Sequence, residues 1–112
     1  MQVNFFTKGT DCLVTKVSGE LDHHVAQKIR NETDMRIVRG RIKNLIFDFT
    51  DISFLDSSGI GVVIGRYKLV KSYGGNVAII ASNVGVNKIL NMSGIPRIIN
   101  IYPSLLDVPD KI

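Results

Sequence analysis

Phe54-Leu55-Asp56-Ser57-Ser58-Gly59-Ile60-Gly61 is the stretch whose reading decides the fold. Upstream of it, Leu45-Ile46-Phe47-Asp48-Phe49 has the composition of a buried strand. Downstream, Ile60, Val63, Ile64, Tyr67 and Val70 recur at helical spacing and predict one buried stripe. Between the two lies a loop ending in Asp-Ser-Ser-Gly, residue types that cap a helix and bond its unpaired N–H groups. The expected unit is strand, turn and helix, with two hydroxyls at the positive end of the helix. Such an end suits a phosphate, either as ligand or as modification.

A length of 112 residues fits a single domain spanning 1–112. Hydrophobic residues at 45% and charged residues at 21% give a globular balance and argue against disorder. No apolar run reaches bilayer length and Met1-Gln2-Val3-Asn4 has no signal pattern, so no membrane partner is expected. One cysteine, Cys12, excludes an internal disulfide and fits a reducing compartment; a cytoplasmic setting is expected. Fourteen Lys and Arg against ten Asp and Glu leave a net charge of +4, so the placement of charge matters. Arg36, Arg39, Arg41 and Lys43 cluster, but no aromatic residues interleave with them to stack on bases. They read as a solvated helix face, with no direct nucleic-acid contact expected.

In chain order, Val3 to Phe6 and Leu13 to Val17 predict two strands joined by the turn Lys8-Gly9-Thr10-Asp11. Gly19 to Asp22 ends the second strand, and Asp22 is a good N-cap for a helix from His23 to about Arg39. Ala26, Ile29, Thr33 and Ile37 form its stripe, and Gly40 is the expected stop. The central helix closes at Gly74-Gly75. Val77 to Ala81 predicts another strand, followed by a helix capped by Ser82 or Asn83 and closed by Gly94 with Pro96 beyond. Ile98 to Ile101 is the last expected strand, with a short turn over Ser104 to Val108. Strands separated by helices pair in parallel through right-handed crossovers, and the first hairpin adds an antiparallel edge strand. The fold class is α/β: one mixed, mostly parallel sheet with packed helices and function in the loops after strand ends.

Hydrolytic chemistry is poorly supported. A serine nucleophile needs a base and an orienting acid, the only histidines are the adjacent His23 and His24, and Gly-x-Ser-x-Gly is absent. One cysteine and no helical His pair give no metal site. The alternative function is a small nucleotide-binding module using the Gly59 to Gly65 turn. Its glycine spacing is one residue too long, and the acidic residue expected at the next strand end is missing. Gly59 and Gly61 leave backbone open to a partner, whereas Gly65 reads as a packing glycine. A phosphoryl group on Ser57 would add about −1.5 to −2 charges at a helix N-terminus beside Asp56. That suits a switch read by another protein.

Gly19-Glu20-Leu21-Asp22-His23-His24, then Ile52 to Val62, Gly65-Arg66-Tyr67-Lys68 and Asn91-Met92-Ser93-Gly94, resemble the STAS-domain anti-sigma factor antagonists over essentially the whole chain. The resemblance implies that Ser57 is phosphorylated, with Asp56, Ser58 and Gly59 as its environment. It implies an anti-sigma factor that is also a serine kinase as partner, binding the unphosphorylated chain and so releasing a sigma factor in sporulation-type transcription control. Phosphorylation abolishes binding and a PP2C-type phosphatase restores it; the chain itself has no enzymatic activity and no cofactor. Asp22, Ile60, Gly61, Val62 and Arg66 are the expected partner contacts. Asp22 reads equally as a helix cap, and Asp56 either orients Ser57 or caps the helix. Ser58 is expected to hold the cap while Ser57 faces the partner. Val62, Arg66 and Leu69 form a second stripe, with Val62 assigned to the partner and Leu69 left open.

Overall fold

In the computed structural model, which describes residues 2–112, a hairpin feeds three strand–helix repeats. Strands β1 (Gln2–Lys8) and β2 (Cys12–Leu21) pair antiparallel; α1 (His23–Gly40), β3 (Asn44–Leu55), α2 (Ser57–Ser72), β4 (Val77–Ile80), α3 (Val84–Met92) and β5 (Asn100–Tyr102) follow. The sheet runs in sequence order, β1-β2-β3-β4-β5, and β2 to β5 are parallel. Right-handed crossovers that always step the same way put all three helices on one face.

Period-two alternation then sorts the core. Leu13, Val17, Leu45, Phe47, Phe49, Val77 and Ile79 meet Ile29 and Ile37 of α1, Val63 and Val70 of α2, and Val86 and Leu90 of α3. On the other face Val14, Ile46, Ala78 and Ile80 form a small second core, closed by Val108 from the C-terminal segment. Among the described residues, no helix is long and apolar enough to cross a membrane.

Three boundaries and one helix face differ from expectation. β3 runs on through Thr50 to Leu55, a stretch read as loop, because β2 is long enough to pair with it as far as Leu21↔Leu55. Gly40 stays helical and Arg41 takes the left-handed turn (φ 50, ψ 43); the Ile42 N–H then reaches the Ile37 carbonyl at 3.0 Å and Ile42 enters the core. β5 begins at Asn100 because Ile95–Arg97 forms a 3₁₀ turn that uses Ile95 and Ile99 as core anchors. The central helix buries Gly59, Val62, Val63, Arg66 and Val70, a stripe rotated from the expected one; Ile60, Ile64 and Tyr67 are only half-buried on its flank.

Candidate functional site

Leu21 and Leu55 end β2 and β3 in register, and the Asp56 N–H donates to the Leu21 carbonyl at 3.4 Å. Each strand therefore passes through a single aspartate into a helix, side by side at the carboxyl edge of the sheet. Asp22 (φ −112, ψ −174) and Asp56 (φ −109, ψ −172) make the same turn twice. Asp22 Oδ1 accepts from the His24 N–H at 2.9 Å; Asp56 Oδ1 accepts from the Ser58 and Gly59 N–H groups at 2.9 and 3.2 Å. Both act as N-caps, satisfying donors that a helix start leaves unpaired. Asn83 repeats the device at α3.

Ser57 is the first residue of α2 and its side chain is exposed. The cap belongs to Asp56, which corrects the expectation for Ser58: that residue supplies a backbone N–H to the cap. Half-buried Ser58 instead faces a groove of about 310 Å³ between the first turns of α1 and α2. Its α1 wall carries His23, Gln27 and Arg30, whose spacing puts them on one helix face. Gln27 and Arg30 escaped the sequence reading; that spacing, counted from His23, is the signal that points to them. His23 and His24 are both exposed with ring centroids 3.9 Å apart, and His24 Nδ1 lies 3.6 Å from Asp22 Oδ2.

The three glycines of α2 divide sharply. A methyl group on Gly59 would overlap Leu55 Cδ1 and come within 2.9 Å of Leu21 Cγ and 3.1 Å of the Leu21 carbonyl, so close packing of α2 on two strand ends requires glycine there. Gly61 and Gly65 face open space, which corrects the packing role expected of Gly65. Val62 and Arg66, expected on a second stripe and as partner contacts, are 5% and 8% exposed and belong to the buried face. Val62 floors the groove, and Arg66 Nε lies 2.7 Å from Asp34 Oδ1 of α1. The two are in ionic contact without the alignment of a straight hydrogen bond. An arginine fits this apolar seam because a carboxylate from α1 meets its charge and its stem packs along the helix.

Electrostatically the edge is acidic. Desolvation pushes the Asp22 carboxyl up, but the His24 N–H and imidazole outweigh it and hold the group below the usual aspartate range. Asp56 already occupies the Ser58 and Gly59 N–H groups, so an incoming nucleotide phosphate would meet a carboxylate where it needs donors. With Gly59 sealed against β2 and β3 as well, the geometry speaks against a phosphate-cradling glycine turn. What the edge offers is one exposed hydroxyl, Ser57, beside two carboxylates, on a helix anchored to two strands.

The STAS domain family matches residues 6–108 of the chain. An anti-sigma F factor antagonist of Paenibacillus polymyxa is 40% identical over 80% of this chain and 77% of that protein. The solved structure of the anti-sigma factor antagonist SpoIIAA in its unphosphorylated form is 27% identical with a TM-score of 0.82, covering 92% of this chain and 90% of that one. SpoIIAA in the phosphorylated form is 26% identical with a TM-score of 0.74, covering 92% and 93%.

Proposed function

The chain belongs to the STAS-domain family of anti-sigma factor antagonists, and on that premise we propose that Ser57 is the switch of a partner-exchange cycle. The unphosphorylated form binds an anti-sigma factor that is also a serine kinase, and a sigma factor is released. The kinase then transfers the γ-phosphoryl group of ATP to Ser57 Oγ: the new O–P bond replaces the bond to ADP, and the hydroxyl proton passes to a base of the kinase. Binding ends until a PP2C-type phosphatase hydrolyses the ester. The chain is a substrate and ligand in this cycle, with no catalytic step of its own, in the cytoplasm of a sporulating cell.

One observation carries the reading. Ser57 stands exposed in the first turn of a helix whose next two N–H groups are already bonded to Asp56. A phosphate there is not absorbed by the fold; Asp56 repels it and it projects outward. Added negative charge in an interface costs several kcal/mol, and 1.4 kcal/mol is tenfold in affinity. The existence of SpoIIAA in both phosphorylation states on one fold supports a change of surface without a change of shape. Ile60 and Gly61 beside Ser57, with Asp22 at the N-cap of the neighbouring α1, form the partner footprint; Val62 and Arg66 support it from below.

The test is to incubate the chain with its anti-sigma kinase and ATP and map the phosphate by mass spectrometry. A single phosphoryl group on Ser57 is expected, with Ser57→Ala bound persistently and Ser57→Asp bound weakly. A phosphate at another residue, or equal kinase affinity for both forms, overturns the proposal.

A further inference from the structure

The end of the molecule away from Ser57 carries two open apolar grooves on either side of the α1 C-terminus, sharing Ile42. The larger, about 460 Å³, lies between β1 and α1 and includes Phe6, Met35, Arg36 and Arg39 in its walls. The other, about 420 Å³, is bounded by Val38, Arg41, Lys43 and Tyr73. Phe6, Met35, Val38 and Tyr73 are between 40% and 58% exposed, a concentration of apolar surface that marks interaction sites. The four cations around them form no ion pair among the described residues. Arg39 complements the negative end of α1, but Arg41 and Lys43 lie beyond the helix and Arg36 is held 3.8 Å over the Phe5 ring. Beside the larger groove, β1 is the sheet edge: Gln2–Lys8 pairs with β2 only, so its outer side presents unpaired N–H and C=O groups.

We propose that this face docks an extended acidic segment of another protein, added to the outer edge of β1 as a sixth strand. An apolar side chain of the segment enters the β1–α1 groove and its carboxylates meet Arg36 and Arg39. Edge, groove and charge are then all used, in the manner of strand addition. A second copy of this chain would set two basic clusters of like sign against each other. A nucleic acid would engage the cations and leave the edge and grooves idle, and Phe5 is already covered by Arg36.

The probe is a fluorescent synthetic peptide of alternating Glu and Val, followed by anisotropy and by amide NMR shifts of the full chain. Saturable binding is expected, with shifts confined to Gln2–Lys8 and residues 35–43. Binding should weaken at least tenfold for Met35→Glu/Arg39→Glu, two exposed positions, with the melting temperature of that variant confirming its fold. It should weaken equally when alternate peptide amides are N-methylated, and Ser57→Asp should leave it unchanged, which separates this face from the phosphorylation reading. Absence of saturable binding or equal binding of a Lys-for-Glu peptide overturns the proposal. So does tighter binding of single-stranded DNA or phosphatidylglycerol vesicles, or dimerisation through β1.

Discussion

Replacing Gly59 and Gly61 separately by alanine should move stability in opposite directions, though the two sit on the same helix two residues apart. In both, alanine gains about 1 kcal/mol of helix propensity over glycine. At Gly61 nothing opposes that gain, because the new methyl group enters open space. At Gly59 it overlaps Leu55 Cδ1 and crowds Leu21 Cγ (2.9 Å) and the Leu21 carbonyl (3.1 Å). Both leucines are at most 1% exposed, so neither side chain has room to retreat. Overpacking of this kind costs about 1–3 kcal/mol, and lifting α2 would also lengthen the 3.2 Å bond from the Gly59 N–H to Asp56. The net expectation is up to about 2 kcal/mol of destabilisation for Gly59→Ala and up to about 1 kcal/mol of stabilisation for Gly61→Ala. For a chain of 112 residues each kcal/mol is about 4 °C of melting temperature. Thermal and urea unfolding of the two variants decide the matter. A rise in melting temperature for Gly59→Ala, or a fall for Gly61→Ala, would refute the account of how α2 sits on the strand ends. Gly61→Ala has a second use: lost binding of the proposed anti-sigma partner with gained stability would place that partner's backbone on the open glycine.

Asp56→Ala should cost about 1 kcal/mol in urea unfolding, the usual worth of an N-cap, while Ser58→Ala should cost less, since only its main chain serves the cap. Asp34→Ala leaves the Arg66 charge in the seam between α1 and α2; because Asp34 is itself 35% exposed, the loss should be about 1–2 kcal/mol, less than for a fully buried pair. A double variant, Asp34→Leu/Arg66→Met, should recover most of it, and failure to do so would show that the ionic contact itself holds the seam. Burial pushes the Cys12 thiol above its ordinary value, so little thiolate exists at neutral pH. Iodoacetamide should therefore label native Cys12 more slowly than the unfolded chain at pH 7.5, with the native rate still climbing above pH 9.

The architecture was largely legible because each repeat announces itself with a strand run, an Asx cap and an apolar helix stripe. Asp22 is legible as a cap, though equally as a partner contact, and the third cap narrows to Ser82 or Asn83; the structure gives it to Asn83. The second half of β3 is not legible. Its burial follows no period of two, because the register shifts between Lys16 and Ser18 and between Gly19 and Glu20 break the alternation on which strand recognition depends. The orientation of α2 was misread for a related reason: two of its buried positions are Gly59, chosen for lack of room, and Arg66, neutralised by a residue 32 positions earlier. Neither carries a local hydrophobic signal. Sequence leaves Asp56 open between capping α2 and orienting Ser57, and the cap is also expected of Ser58; only the folded turn, with the Ser58 and Gly59 N–H groups on Asp56 Oδ1, assigns it. The choice of Ser57 over Ser58 as acceptor comes from the family resemblance, since two adjacent hydroxyls at a helix start look alike in sequence. The grooves around α1 were invisible, since Phe6, Met35, Val38 and Tyr73 meet only after folding.

The single-sided layout has one more consequence. α2 spans 16 residues, about 24 Å, between Ser57 at one pole and the basic grooves near its far end. That is several times the distance of about 8 Å over which dissolved ions blunt a surface charge at physiological salt. A phosphate added at Ser57 under the proposed cycle would therefore not be felt electrostatically down the rod. The two poles are thereby insulated from each other: if both proposals hold, a tether at the far pole would keep the molecule in place while its other pole is bound and released.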